Sequence, residues 1–89
     1  MIMSQFCYVY VLRSRMDGQM YVGLTRDLRE RFRQHQAGEV PSTQTRRPLE
    51  LMYYEACRNI HDAARREKYL KTAWGKRYIK TRIKDYLTG

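Results

Sequence analysis

Four residue types at particular spacings could do chemistry in this chain. Tyr8 and Tyr10 stand two apart in one apolar run, and Tyr21 opens a second, as Tyr21-Val22-Gly23. Arg31 and His35 are four residues apart in a helical pattern, so they project side by side from one row. Glu67 lies among basic and apolar neighbours: Arg65, Arg66, Lys68, Lys71 and Leu70. An inward carboxylate left unpaired would cost several kcal/mol, so Glu67 requires a cation. That cation is either a structural partner, with Arg31 a candidate, or a divalent metal, and the spacing leaves both open. The tyrosines also carry two readings, because a tyrosine-rich sheet is more often packing than catalysis.

The elements that must position these residues are legible from period and punctuation. Phe6 to Leu12 is an unbroken run of β-formers without Gly or Pro, which predicts a strand buried on both faces. Met20 to Gly23 is a second, shorter strand. Asp17-Gly18 between them accepts positive φ and predicts a two-residue hairpin turn. That turn pairs Ser14 with Tyr21 and Leu12 with Gly23. Tyr8, Tyr10, Leu12, Ser14, Tyr21 and Gly23 then share a face. Tyr10 falls four residues from the partner of Tyr21, roughly 13 Å away. A wider loop would bring them closer without changing the face, since a two-residue slip preserves parity. Gly23 leaves room on this face for another backbone or a ligand.

Thr25 or Asp27 can cap a helix, Asp27 with Glu30 three residues on in a capping-box pattern, and Gly38 is a stop, so a helix is expected from there to about Ala37. Leu28, Phe32 and Gln36 give its inner stripe. Glu39 to Pro48 is a polar loop, and Leu49 to Cys57 is a third strand whose blurred alternation suits the middle of a sheet. A helix from about Ile60 to Trp74 has an inward stripe of Ile60, Ala63, Ala64, Leu70 and Trp74. Gly75 then breaks the pattern, and a last helix runs from about Lys76 to Leu87 with Ile79, Ile83, Tyr86 and Leu87 inward. The fold expected is α+β: a small three-stranded antiparallel sheet flanked by helices, in the order β-β-α-β-α-α.

With 89 residues and 43% hydrophobic content, residues 1–89 are read as a single domain with one modest core. Eighteen Lys and Arg against nine Asp and Glu give a net charge of +9, and ten of those cations lie between Arg58 and Lys84 against only Asp62 and Glu67. A polyanion is the expected partner, and the absence of a broad lipid-facing stripe favours nucleic acid over membrane. Thr25, Thr43, Arg46, Arg47, Arg66, Lys71, Lys76 and Arg77 are the residues expected to touch it. No apolar run is long enough to cross a membrane, and Met1 to Phe6 does not read as a secretory signal. Cys7 and Cys57 are expected as buried thiols in a reducing compartment, hence a cytoplasmic location.

Tyr8-Val9-Tyr10 and Tyr21-Val22-Gly23, followed by Arg31, His35 and Glu67 at these spacings, resemble the signature of the GIY-YIG endonuclease superfamily. The likeness runs from about Phe6 to Lys84. Ser42-Thr43, Arg46-Arg47-Pro48 and Tyr53-Tyr54-Glu55 look like the small stand-alone bacterial members, which are similar to the N-terminal domain of excision-repair nucleases. The resemblance implies hydrolysis of a DNA phosphodiester with one divalent ion, Mg²⁺ or Mn²⁺. Glu67 would be the metal's protein ligand and Tyr10 the partner of the attacking water. Tyr21 would position water or phosphate, Arg31 would offset phosphoryl charge, and His35 would bond the tyrosine or phosphate. The chain departs from the pattern at Tyr8, where the signature has Gly, and at Val9 and Val22, where it has Ile. Leu24 stands where several members carry lysine, and no Asn follows Glu67. The resemblance implies low sequence specificity, structure selectivity, or targeting by a protein partner, with a monomer as the default state. Two alternatives remain: a binding module on the same scaffold without the chemistry, and a helix-turn-helix reader made from the last two helices.

Overall fold

The computed structural model describes residues 5–89. Four of the six residues read at the N-terminus therefore lie outside it. The chain forms β1 (Cys7–Ser14), β2 (Met20–Thr25), α1 (Leu28–Gln36), β3 (Leu49–Cys57), α2 (Ile60–Leu70), α3 (Ala73–Arg82) and a short α4 (Lys84–Thr88), with a 3-10 turn at Gln44–Arg46. The sheet is antiparallel in the order β2-β1-β3, which is the expected α+β architecture.

The apolar run predicts a strand buried on both faces, and β1 is such a strand, at the centre of the sheet. Cys7, Val9, Tyr10, Val11 and Leu12 are all essentially buried, because β1 has a strand on each edge and a helix layer on each face. Its odd residues Cys7, Val9 and Val11 pack with Ala63, Leu70 and Ile79 of α2 and α3. Its even residues Tyr10 and Leu12 pack with Leu49, Tyr21, Leu28 and Phe32, under α1. The side-chain period of two thus divides one strand between two small cores.

β3 is an edge strand, not the middle one. Its blurred alternation has another cause: Val11 opposes Tyr53 while Leu12 opposes Leu51, leaving Met52 as a bulge. The bulge reverses parity. Leu49 and Leu51 face α1 on one side of it, and Tyr53 and Cys57 face α2 on the other. Cys7 and Cys57 are direct cross-strand partners and remain free thiols, the second only partly buried.

The hairpin turn is wider than expected. The last paired residues are Arg13 and Met20, and the Ser14 N–H donates to the Gln19 carbonyl at 2.9 Å. Arg15 to Gly18 form the loop, closed by Gly18 N–H to Ser14 O. Ser14 is the reason: its buried hydroxyl donates to the Arg46 carbonyl at 2.7 Å and accepts from Met16 N–H. Leu12 therefore opposes Tyr21, and Tyr10 opposes Gly23, two residues from the tight register.

α1 begins as expected, with Asp27 accepting from Glu30 N–H at 3.1 Å. The Glu30 carboxylate does not complete a capping box; it turns to Arg33 and Gln34. Gly38, at φ +79°, ends the helix. The C-terminal helices divide differently from the sequence reading. α2 stops at Leu70, and Thr72 caps α3 by accepting from Gly75 N–H at 3.1 Å while donating to Tyr69 O. Gly75 lies inside α3, buried, where a Cβ would collide with the Tyr69 carbonyl and the Leu70 backbone. It permits close approach of two helices instead of breaking one. The break rotates Trp74 out of the expected stripe, leaving it 68% exposed. Ala64 and Tyr86 are likewise exposed, although Tyr86 bonds the Glu50 carboxylate. None of the described helices is long and apolar enough to cross a membrane.

Candidate active site

The register of the hairpin decides the site. With Tyr21 opposite Leu12 and Tyr10 opposite Gly23, the two tyrosines are diagonal neighbours on the α1 face, ring centroids 6.4 Å apart. The space left by Gly23 is filled by Tyr10 itself, since a Cβ at Gly23 would overlap the end of that ring. α1 lays His35 against both rings, at 5.6 Å from Tyr10 and 5.2 Å from Tyr21, edge to face in each case.

His35 is fully buried between two hydrogen bonds. Its Nε2 meets Tyr10 Oη at 2.9 Å, and its Nδ1 meets Thr43 Oγ1 at 2.7 Å. Burial, reinforced by the nearby Arg31 charge, lowers its pKa to about 4, so the ring is neutral at pH 7. Thr43 is also fully buried, and His35 Nδ1 is its hydroxyl's one partner among the described residues. A neutral imidazole carries one N–H and one lone pair, so one of the two hydroxyls donates to the ring and the other accepts from it. The two bonds fix the ring behind the phenol oxygen.

Burial raises the Tyr10 pKa above the ordinary phenol value. Arg31 opposes this, while Tyr21 and Glu67 add to it. Glu67 is therefore close enough for its charge to act on the phenol from α2. The carboxylate does not pair with Arg31, whose guanidinium bonds Gln34 at 2.8 Å. It pairs with Lys71, one turn on, at 3.2 Å. Such an i,i+4 pair is worth about 0.3–0.5 kcal/mol and is readily exchanged. Among the described residues no three His, Cys, Asp or Glu side chains converge. A lone, partly exposed carboxylate suits a hard cation that keeps most of its water, such as Mg²⁺, and does not suit an all-protein cage.

The expected nucleic-acid contacts are scattered. Lys76, Arg77 and Arg47 are exposed, with Arg77 stacked over Trp74 at 4.9 Å and Arg47 folded back onto the Gln44 carbonyl. Arg46 is paired with Asp17 at 3.6 Å. Thr25 serves the turn before α1, accepting from Asp27 N–H. Arg66 is held by both oxygens of Glu55 and lies over Tyr78, a bracing contact between α2, α3 and β3. Thr43 has no exposed surface for a phosphate; its partner is His35. Nothing local in the sequence marks that role, because loop and helix meet only in the folded chain.

The neutral His35 has a consequence for stability. A depressed pKa contributes stability that is present above the unfolded value of 6.5 and is lost as pH falls toward about 4. The shift corresponds to about 3 kcal/mol. Chemical denaturation at stepwise pH is expected to show most of this loss between pH 6.5 and 4.5, above the range where the Glu30, Glu50 and Glu55 carboxylates protonate. His35→Gln should flatten that interval.

The family comparison agrees with the geometry. The family model for the GIY-YIG catalytic domain matches residues 6–81. The chain belongs to the GIY-YIG family. Among its relatives is a UPF0213 protein of Bacillus pumilus, 39% identical over 66 residues, covering 73% of this chain and 66% of that one. A UPF0213 protein of Staphylococcus haemolyticus is 38% identical, with 73% and 79% covered. One from Pediococcus acidilactici is 37% identical over 79 residues, with 82% and 76% covered. No solved structure matches.

Proposed function

We propose that this GIY-YIG chain is a metal-dependent endonuclease that hydrolyses DNA phosphodiester bonds with low sequence specificity or with selectivity for DNA structure. The observation that carries this reading is the buried chain Thr43–His35–Tyr10, which orients one phenol oxygen beside Arg31 and within the field of Glu67. Simple packing does not require that arrangement.

Tyr10 is the general base toward the attacking water. In this mechanism His35 carries its proton on Nε2 and donates it to the Tyr10 oxygen, a bond that strengthens as negative charge develops on the phenol. Arg31 lowers the cost of that charge and faces the phosphoryl oxygens. Tyr21, packed against His35, positions water or phosphate. Glu67 holds one divalent ion, Mg²⁺ or Mn²⁺, which when bound polarises the scissile phosphate and stabilises the leaving oxygen. Lys71 releases Glu67 and turns to the phosphate backbone beside Lys76 and Arg77.

The Lys71–Glu67 ion pair favours a second reading, a binding module whose carboxylate is neutralised. Its small worth makes the nuclease the better account. The deciding experiment is cleavage of labelled single-stranded, duplex and branched DNA with Mg²⁺ or Mn²⁺ against EDTA. Cleavage with metal alone supports the nuclease. Binding at low salt without cleavage under any metal supports the binding module.

A further inference from the structure

A groove of about 760 Å³ opens on the α1 face of the sheet, beside the candidate site. Tyr8 and Tyr54 line it with Leu51, against Phe32 of α1, and Arg26 and Arg29 also border it. Tyr8 is one same-face position along β1 from Tyr10, roughly 7 Å by strand geometry. The mechanism above uses none of these groove residues.

Three properties define what the groove accepts. Its lining is aromatic: Tyr8 and Tyr54 meet edge to face at 6.1 Å, and Tyr54 keeps 53% of its surface exposed. Its two cations are free: neither Arg26 nor Arg29 forms an ion pair with the described residues, whereas Arg33, one turn on, is held by Glu30 and Glu39. Its one carboxylate, Asp27, is committed to capping α1. An apolar side chain would match the rings but not the guanidinium groups. An acidic peptide would match the guanidinium groups but not the rings. A nucleotide carries a flat π-face and an anion a few bonds apart, and the chain's charge of +9 favours it.

We propose that this groove binds an unpaired nucleobase of the substrate strand, stacked on Tyr54, with Arg26 and Arg29 on the flanking phosphates. The assignment rests on the nuclease reading for its substrate, and it adds a base-binding subsite to that reading. It predicts tighter binding where the strand is unpaired beside the site, since a paired base cannot leave its stack without cost.

The test uses 2-aminopurine placed singly along a single-stranded oligonucleotide and along the matching duplex, in EDTA, so that binding is read without cleavage. Wild type is expected to quench one or two positions in the single strand. Tyr54→Ala should abolish that quenching and weaken single-strand binding by about 5- to 150-fold. Duplex affinity should change by less than about twofold, the size of a surface substitution outside the contact. Tyr54→Phe should behave as wild type. If Tyr54→Ala does not fold, Tyr54→Leu, which keeps bulk without the ring, is held to the same criteria. Quenching and affinity unchanged in the ring-less variant overturn the proposal. Equal losses on single strand and duplex overturn it too, as does a Tyr54-dependent dimer without quenching. Failure of the nuclease reading looks different: quenching as expected in EDTA, but no cleavage when Mg²⁺ or Mn²⁺ is restored.

Discussion

Glu67→Ala is expected to lower metal-dependent cleavage by about 10³-fold or more, the several kcal/mol that a metal supplies to a phosphoryl transition state. Binding in EDTA should be retained or slightly tightened, because a negative charge leaves the phosphate-binding surface. Folding should be nearly unaffected. The one contact removed is the ion pair with Lys71, on a side chain 23% exposed, and exposed pairs of this kind contribute at most about 1 kcal/mol. Single-turnover cleavage, a binding titration and a thermal melt separate these effects. Cleavage within about tenfold of wild type, too small a change for loss of a metal, would show that the cation is not held at Glu67. The nuclease reading would then need a different carboxylate or no metal at all.

Tyr10→Phe should lower the rate by about 10²–10⁴-fold, the usual contribution of a positioned acid or base. It should also cost about 1–3 kcal/mol of stability, since the buried His35 Nε2 is left without its partner. The pH profile distinguishes chemistry from packing. Burial holds the Tyr10 pKa above the ordinary phenol value, so the wild-type rate should climb with pH through the alkaline range as the fraction of phenolate rises. The phenylalanine variant should lose that slope. Thr43→Val extends the argument to a residue that touches no substrate. The proposed mechanism needs His35 Nε2–H as the donor to Tyr10, and a Thr43 hydroxyl hydrogen at Nδ1 favours that tautomer; without it His35 is free to accept from Tyr10 instead. The rate should fall by about tenfold, the worth of one hydrogen bond to a charged group, with the alkaline limb displaced upward. Thr43→Ser should restore both.

Much of this molecule follows from local physics that the sequence displays openly. β1 had to be buried on both faces because its apolar run has no polar face to offer water. α1 had to begin at a capping side chain, Thr25 or Asp27, and end at Gly38, which accepts positive φ; the structure uses Asp27. Tyr10 and Tyr21 had to share a face, since side-chain period is two and any even slip of register preserves it. Arg31 and His35 had to share a helix row.

Other features depend on contacts between residues far apart in the chain. The distance between the tyrosines depended on a two-residue slip set by the Ser14 hydroxyl reaching Arg46. Sequence alternation could not place β3, because the Met52 bulge reverses parity halfway along it. Trp74 and Gly75 depart from the periodic pattern together. Their period continued that of α2, yet Thr72 starts a new helix against the end of the old one, and the glycine marks the contact. Thr43 resembled a phosphate contact in a polar loop until His35 was found on its hydroxyl. Sequence alone determined the strands, the ends of α1 and the shared face, because caps, turns and period act over a few residues. Tertiary structure alone decided the register, the split between α2 and α3 and the partner of each charge, because those depend on groups that only folding brings within 3–4 Å.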